Sequence, residues 1–339
     1  MKRFLIYLLA YLLTINPVLA ANLWVAQTGS GSADGSSYAN RASLATHNAG
    51  TGAFADLDND IVILTGEFTD AIRPPDSGSA GNPITYAGDA SSYDGSAVDG
   101  HSSDYSVTYS SSFYLYGDDY ITIQNYTIDW DYTDVLGDTP TNIFGMYIRN
   151  SDNITIDNVT VTQVNNGVYF YGGCNDILVT NNTFTDIAET GLWFSSDGSN
   201  PPYNITVGGS EGNGNTFNDI THKIAYGNNS SSYSTRFTTD VHDAVVSYNT
   251  YSYPTEYYGM CSILAYHNYD ILIERNKIQG GRAYNTRPAI DIKGGSTAPT
   301  TLSYQIGRNI IVRYNEIYDM DQSPHVYAGT YYSVGVKVS

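Results

Sequence analysis

The feature that most constrains the fold is an asparagine that returns at the end of short alternating apolar runs. It closes "ITIQNYTI" at Asn125, "ITIDNVTV" at Asn158, "ILVTNNTF" at Asn182, "GNGNTF" at Asn215, "VVSYNTY" at Asn249, "ILIERNKI" at Asn276 and "IIVRYNEI" at Asn315. Successive copies lie 24 to 39 residues apart. A rigid array would keep one period, whereas variable loops inserted into one kind of coil give this scatter. Ahead of most of these asparagines apolar and polar residues alternate, the period-two pattern of a strand with one buried face.

A second strand-like segment precedes several of the units: "GMYIRN" from Gly145, "GVYFYGG" from Gly167, "GLWFSSDG" from Gly191, "AIDIKGG" from Ala289 and "VGVKVS" from Val334. Each coil therefore holds at least two strands separated by turns. Equivalent strands of neighbouring coils run in the same sense and must pair in parallel. The expected fold is an all-β parallel β-helix, a solenoid wound from one chain. The asparagine is expected at the sharp corner between strands, where it tolerates the left-handed backbone and its amide bonds the amides above and below. On this reading "NNTFTDI" (181–187) is one rung, with Phe184 and Ile187 pointing inward. Seven rungs about 4.8 Å apart make a column about 30 Å long.

Composition agrees with many short strands and turns: 32 Tyr and 32 Gly stand beside numerous Asn, Ser and Thr, with few of the residues that favour helices. Residues 1–20 read as a secretory signal, with Lys2 and Arg3 ahead of "FLIYLLAYLLTI" and a small-residue cleavage site in "NPVLA". The expected product is secreted, extracellular or periplasmic, with no membrane span. The formal net charge of −19 makes nucleic acid an unsuitable partner and keeps an exported monomer soluble. Two cysteines, Cys174 and Cys261, are too few for a disulfide scaffold and are compatible with one bridge or with two core thiols. The sequons at Asn125, Asn153, Asn158, Asn181, Asn204, Asn228 and Asn229 follow from a strand grammar rich in Asn and Thr and predict no glycosylation.

Residues 21–60 read as an N-terminal cap with the first strand and a short helix or turn around Leu44; coils fill 61–339. A cap is expected because an open solenoid end exposes strand edges. The chain ends "VYAGTYYSVGVKVS" within a strand pattern, so the C-terminal end reads as truncated.

The order of these elements, together with "SGSAGNPITYAG" at 77–88 and the Asn-rich rungs that continue to Asn315, resembles the right-handed parallel β-helix proteins of the pectate lyase (pectin lyase-like) superfamily. The resemblance spans nearly all of the chain after residue 20. It is specific for fold and implies little about activity, because this fold hosts lyases, hydrolases, epimerases and non-catalytic surface proteins. No "WxDH"-type segment of pectate and pectin lyases occurs, nor the paired aspartates and "GHG" of polygalacturonases. Asp118 and Asp119 in "YGDDYITI" read as turn residues, which disfavours a two-carboxylate hydrolase.

Alternation sorts the Gly-led strands into faces. Met146, Ile148, Val168, Phe170, Leu192, Phe194, Ile290 and Ile292 are expected to point inward. Tyr147, Tyr169, Trp193, Asp291 and Lys337 then stand outward in one file, with Arg149, Tyr171, Ser195, Lys293 and Ser339 in the next. Outward Tyr147, Tyr169, Tyr171 and Trp193 offer flat faces to sugar rings, and equally stabilise a sheet by stacking. Residues 275–293 gather Arg275, Lys277, Arg282, Arg287 and Lys293, the one basic neighbourhood of an acidic chain.

A lyase acting on uronic-acid polymers removes the C5 proton beside a carboxylate, and needs a base and a positive group to hold the developing charge. Several β-helix lyases use a Lys or Arg base with calcium on outward carboxylates. The resemblance thus implies Lys293 as base, Arg282 or Arg287 on the substrate carboxylate, and Asp291 as a Ca²⁺ ligand. His222, His242, His267 and His325 lack metal-site spacing. The expectation is a secreted polysaccharide lyase acting on an acidic glycan by β-elimination. The alternatives are a non-catalytic carbohydrate-binding or adhesin-type β-helix, or a glycoside hydrolase or epimerase.

Overall fold

The computed structural model describes residues 20–88, 97–99, 110–129, 143–220, 232–253, 260–280, 289–293, 309–318 and 336–338 of the chain. Within them the fold is a parallel β-helix with three faces, one strand more per coil than the two the sequence pattern demanded. Residues 1–19, which hold nearly all of the expected leader, lie outside the described residues, as do Arg282, Arg287, His222, His325 and Ser339. Among the described residues no helix is long and apolar enough to cross a membrane.

The first face is an eight-stranded sheet of Ser110–Tyr116, Ile143–Arg149, Asn166–Tyr171, Thr190–Ser195, Ser232–Thr238, Met260–Tyr266, Ile290–Lys293 and Val336–Val338. Every pairing in it is parallel. The other two faces form one bent sheet. Ile121–Asp129 and Ile154–Thr162 run unbroken across the bend. In later coils the same path breaks in two, as in Asn175–Thr180 followed by Thr183–Ile187, and Tyr269–Glu274 followed by Lys277–Gly280. Third-face strands that end at Asp129, Ile220, Tyr253 and Gly280 are followed along the chain by the first-face strands that begin at Ile143, Ser232, Met260 and Ile290.

The interior is set by alternation. Met146, Ile148, Val168, Phe170, Leu192, Phe194, Ile290 and Ile292 are all buried, as are Phe184 and Ile187. Parallel in-register pairing puts like residues above one another, so the core is a set of stacks. Phe170, Phe194 and Phe237 lie 4.6 and 5.1 Å apart ring to ring, and Phe184, Phe217 and Tyr251 lie 5.0 and 4.8 Å apart. Each such buried ring contributes about 1.5–3 kcal/mol relative to exposure. Gly167 is required by close approach: a Cβ there would meet Gly191 O at 2.3 Å and Phe184 at 3.1 Å. The same position in later coils is Ser234, Ser262 and Ala289, all small.

The asparagines do not form the single column expected of them. The two tasks assigned to one residue, turning the corner and bonding up and down the stack, fall to neighbours. The left-handed position is occupied by Asn125, Asn158, Asn181, Tyr248, Arg275 and Tyr314, with φ between 53 and 60°. The ladder is the next residue along, in Asn182, Asn215, Asn249, Asn276 and Asn315. Each of the first four donates its backbone N–H and its Nδ2 to Oδ1 of the next, at 2.9–3.0 Å. Asn182 Oδ1 caps the series by accepting from Val159 N at 2.8 Å. Asn125 and Asn158 are exposed and bond only each other's side chains, at 2.7 Å.

At the N-terminal end Asn22–Ala26 already belongs to the stack, paired in parallel with Ile61–Leu64. The helix Leu44–Asn48 begins at Ser43, whose hydroxyl accepts from Thr46 N at 3.1 Å, and it buries Leu44 and His47. Cys174 and Cys261 are buried and unbridged, which settles their alternative in favour of core thiols.

Candidate functional site

The outer surface of the first face carries the densest set of aromatic and cationic side chains. One file runs Tyr114, Tyr147, Tyr169, Trp193, Arg236, Leu264, Asp291, Lys337 as register partners on successive coils. Its neighbour runs Tyr116, Arg149, Tyr171, Ser195, Thr238, Tyr266, Lys293. Both files follow from the same alternation that buries Met146 and Ile148.

The expected aromatic ladder exists, but it is closed where it was expected to be wet. Tyr147 is 2% and Tyr169 9% exposed. The reason is spacing: rings one coil apart cover one another. Tyr114 stacks on Tyr147 at 5.4 Å, Tyr147 meets Tyr169 edge-on at 5.6 Å, and Tyr169 lies 4.5 Å from Trp193. Phe144, on the same outer surface, stacks on Tyr169 at 5.2 Å. Trp193 and Tyr171 are half-buried, and Trp193 donates its indole N–H to Thr238 Oγ1 at 3.0 Å. The open aromatic faces here are Tyr116, 54% exposed, and Tyr266, 39% exposed.

Cations are threaded between these rings. The Arg149 guanidinium lies 5.2 Å from the Tyr116 ring and 5.3 Å from Tyr171, a two-sided cation–π arrangement. Arg236 lies 4.4 Å over Trp193 and 5.0 Å from Tyr233. Neither arginine belonged to the expected site. Arg236 escaped because its strand "SYSTRFT" begins with no glycine; the small residue Ser234 at the glycine position was the available signal.

Lys293 and Asp291 are brought together, Nζ to Oδ2 at 3.0 Å, with Lys293 half-buried and Asp291 2% exposed. The other oxygen, Oδ1, is buried without a hydrogen-bond partner among the described residues. A base lysine needs neighbouring cations or an apolar pocket, and here its partner is a carboxylate. Nor do these residues fit a calcium ion. Ca²⁺ takes about six to eight oxygen ligands; Asp291 is a single buried carboxylate already committed to an ammonium. Among the described residues no group of three or more His, Cys, Asp or Glu gathers to hold a metal. On the adjacent coil Tyr266 is the register partner of Lys293, and His267 stacks on Tyr266 at 3.9 Å.

Asp118 and Asp119 stay at the turn. Asp118 accepts from Tyr116 N at 2.7 Å, and Asp119 accepts from Asp152 N at 2.8 Å. Burial, then the charges of Asp119 and Asp76, push the Asp118 carboxyl up to about 6.

Comparison with known proteins supports the architecture. The right-handed β-helix region family matches residues 42–211, half of the chain, and the chain belongs to it. The lacto-N-biosidase of family GH136 from Eubacterium ramulus is similar in fold: it is 14% identical, with a TM-score of 0.53, over 94% of this chain and 67% of that one. An alginate lyase from Paenibacillus sp. is 14% identical, with a TM-score of 0.47, over 82% of this chain and 92% of the other. No curated protein matches the sequence. At 14% identity the likeness to the lacto-N-biosidase speaks for fold alone, and the right-handed parallel β-helix is that fold.

Proposed function

We propose that the protein is a secreted, monomeric, carbohydrate-active enzyme that binds an acidic polysaccharide across the outer surface of the first face and cleaves it by β-elimination. One observation carries the reading: the interleaved run of Tyr116, Arg149 and Tyr171 beside Trp193 and Arg236, which sets aromatic rings next to guanidinium groups along the stack. Sugar rings pack on the first kind of group and uronate carboxylates pair with the second. The β-helix enzyme to which the chain is similar in fold, a lacto-N-biosidase, is named for acting on a glycan, which supports the carbohydrate-active part of this reading.

In the elimination a C5 proton passes to a protein base, its electron pair forms the C4–C5 double bond, and the C4–O glycosidic bond breaks as the leaving oxygen takes a proton. The Lys293 ammonium, held beside Asp291, suits the role of the positive group facing the substrate carboxylate better than that of base. The Tyr266–His267 pair on the neighbouring coil supplies groups able to accept and return a proton. Arg282 and Arg287 lie outside the described residues.

The test is the ultraviolet absorbance of unsaturated ends, measured on polygalacturonate, alginate and glycosaminoglycans. Lys293→Ala should abolish it and Lys293→Arg should retain part, because a positive group is conserved. Loss in both variants equally would return Lys293 to the role of base. No unsaturation on any of these polymers, with binding weakened by Arg149→Ala, would make the protein a non-catalytic glycan binder. Reducing ends without unsaturation would make it a hydrolase.

A further inference from the structure

The corner between the second and third faces changes character along the stack. In early coils the left-handed position is Asn125, Asn158 and Asn181, a residue type that tolerates positive φ. In later coils the same corner holds Tyr248, Arg275 and Tyr314, with φ of 60, 56 and 56°. A bulky residue there costs about 1–2 kcal/mol that asparagine or glycine avoids. Three consecutive corners bear that cost, and their side chains contribute nothing to the core: Arg275 is exposed and Tyr314 is 72% exposed, the highest of the large exposed apolar residues among those described.

These side chains line a cleft of about 560 Å³ together with Glu211, Lys277 and Glu316. The Arg275 guanidinium sits between two phenol rings, 5.5 Å from Tyr248 and 5.9 Å from Tyr314, and donates from Nη1 to the Tyr248 hydroxyl at 2.8 Å. Arg313 lies 5.5 Å from the Tyr314 ring and is neutralised by Glu274 at 2.7 Å. Arg275 and Lys277, by contrast, have no carboxylate within ion-pair distance among the described residues, although Lys277 and Glu316 are register partners. In a chain of net charge −19, two cations that no described carboxylate pairs, beside an exposed aromatic ring, define a site for an anion with a flat apolar face.

We propose that this corner cleft is a second glycan-binding site, independent of the first face, for an oligosaccharide that bears a carboxylate. One sugar ring lies on Tyr314, its carboxylate pairs with Arg275 and Lys277, and hydroxyls are accepted by Glu211 and Glu316. None of the lining residues belongs to the first face. The arrangement therefore holds a chain at a distance from the surface where cleavage is proposed, as a tether for polymer.

The experiment is calorimetric titration of the full chain with trigalacturonate and with a neutral xylotriose. It is run on the unaltered protein and on Tyr314→Asn, Lys277→Gln and Trp193→Ala, with thermal midpoints alongside. Tyr314→Asn should weaken trigalacturonate binding at the corner by about tenfold while leaving the midpoint unchanged or higher, since asparagine relieves the backbone. Lys277→Gln should weaken it similarly and reduce its salt dependence. A lowered midpoint with unchanged binding in Tyr314→Asn would make the corner structural and overturn the proposal. Equal affinity for xylotriose would overturn the carboxylate class. Loss of all binding in Trp193→Ala would place the sugar on the first face alone and also overturn it. A corner effect that persists while Trp193→Ala does nothing would instead sink the first-face reading and leave this one standing.

Discussion

Asn249→Ala tests the separation of ladder from corner most directly. Asn249 is fully buried at the centre of the ladder. Its Nδ2 donates to Val207 O, Ser247 O and Asn276 Oδ1 at 3.0–3.1 Å, and its Oδ1 accepts from Asn215 N and Asn215 Nδ2, both at 2.9 Å. Truncation leaves the Asn249 backbone bond to Asn276 Oδ1 in place. It strands the Asn215 backbone N–H and one Asn215 amide hydrogen, both buried and out of reach of water. At about 2 kcal/mol for each stranded donor the expected loss is about 4 kcal/mol. Asn125→Gly is the control, because Asn125 is exposed, its side chain bonds only Asn158, and glycine accepts positive φ; its expected cost is under about 1 kcal/mol. Urea denaturation followed by circular dichroism compares the two, with hydrogen exchange at Asn182, Asn215 and Asn276 reporting whether neighbouring rungs open together. Equal costs for the two substitutions, or an Asn249→Ala protein within about 1 kcal/mol of the original, would refute the view that the buried column is the spine of the bend.

Two further outcomes follow from a half-buried carboxyl and two buried thiols. The Asp118 carboxyl is held up near 6 in the fold against an ordinary value of 3.8, so the folded state favours its protonated form. The stability it contributes is fully present below the unfolded value and is lost as pH rises through about 6. Asp118→Asn should therefore gain about 1 kcal/mol over the unaltered protein at neutral pH, after discounting for solvent screening, and gain nothing at pH 3; a gain independent of pH would show that the carboxyl's titration is not the cause. Burial raises the Cys174 thiol to about 11 and Cys261 is equally enclosed, so neither should react with a thiol reagent at pH 8 until the protein unfolds, whereupon two thiols should appear. Prompt labelling of the native protein, or no free thiol after denaturation, would contradict the buried, unbridged pair.

The winding of the chain was legible because in-register parallel pairing repeats one local grammar, and alternation of Ile, Val and Phe with polar residues survives any length of intervening loop. The third strand of each coil was less visible. In "NTFTDI" and "NKIQG" it is only four or five residues long and directly follows the asparagine, so the two strands read as one. The corner was misjudged by one position because asparagine serves both roles. Counting from the first inward apolar residue separates them: Ile121, Ile154, Ile177, Ile271 and Ile310 are register partners, and the fourth residue after each is Asn125, Asn158, Asn181, Arg275 or Tyr314, all with positive φ. Anchoring on the asparagine itself hid the tyrosines and the arginine at the corner, and with them the cleft.

The site was legible in direction and not in exposure, and the reason is geometric. Alternation tells which side of a sheet a residue leaves from, and every outward assignment that the described residues cover, from Tyr147 to Asp291, lies in its expected register file. Whether the side chain then meets water depends on the size of its neighbours about 4.8 Å up and down the stack. Large rings on consecutive coils, as at Tyr114, Tyr147, Tyr169 and Trp193, shut each other in; a small or polar neighbour leaves the ring open, as Thr238 does for Tyr266. An unbroken aromatic file therefore stabilises the sheet along its middle and offers its faces at breaks and ends. Ligand contacts on the first face should accordingly concentrate on Tyr116, Tyr171, Trp193 and Tyr266. Inserting an opening in the file by Tyr169→Ser should expose Tyr147 and Trp193 to sugar, at a stability cost of about 2–4 kcal/mol for the lost buried ring. Tighter glycan binding by that destabilised variant would bear out the argument; unchanged binding would show that opening the file recruits no further ring, and weaker binding that Tyr169 itself supports the surface on which Trp193 is presented, and either result refutes it.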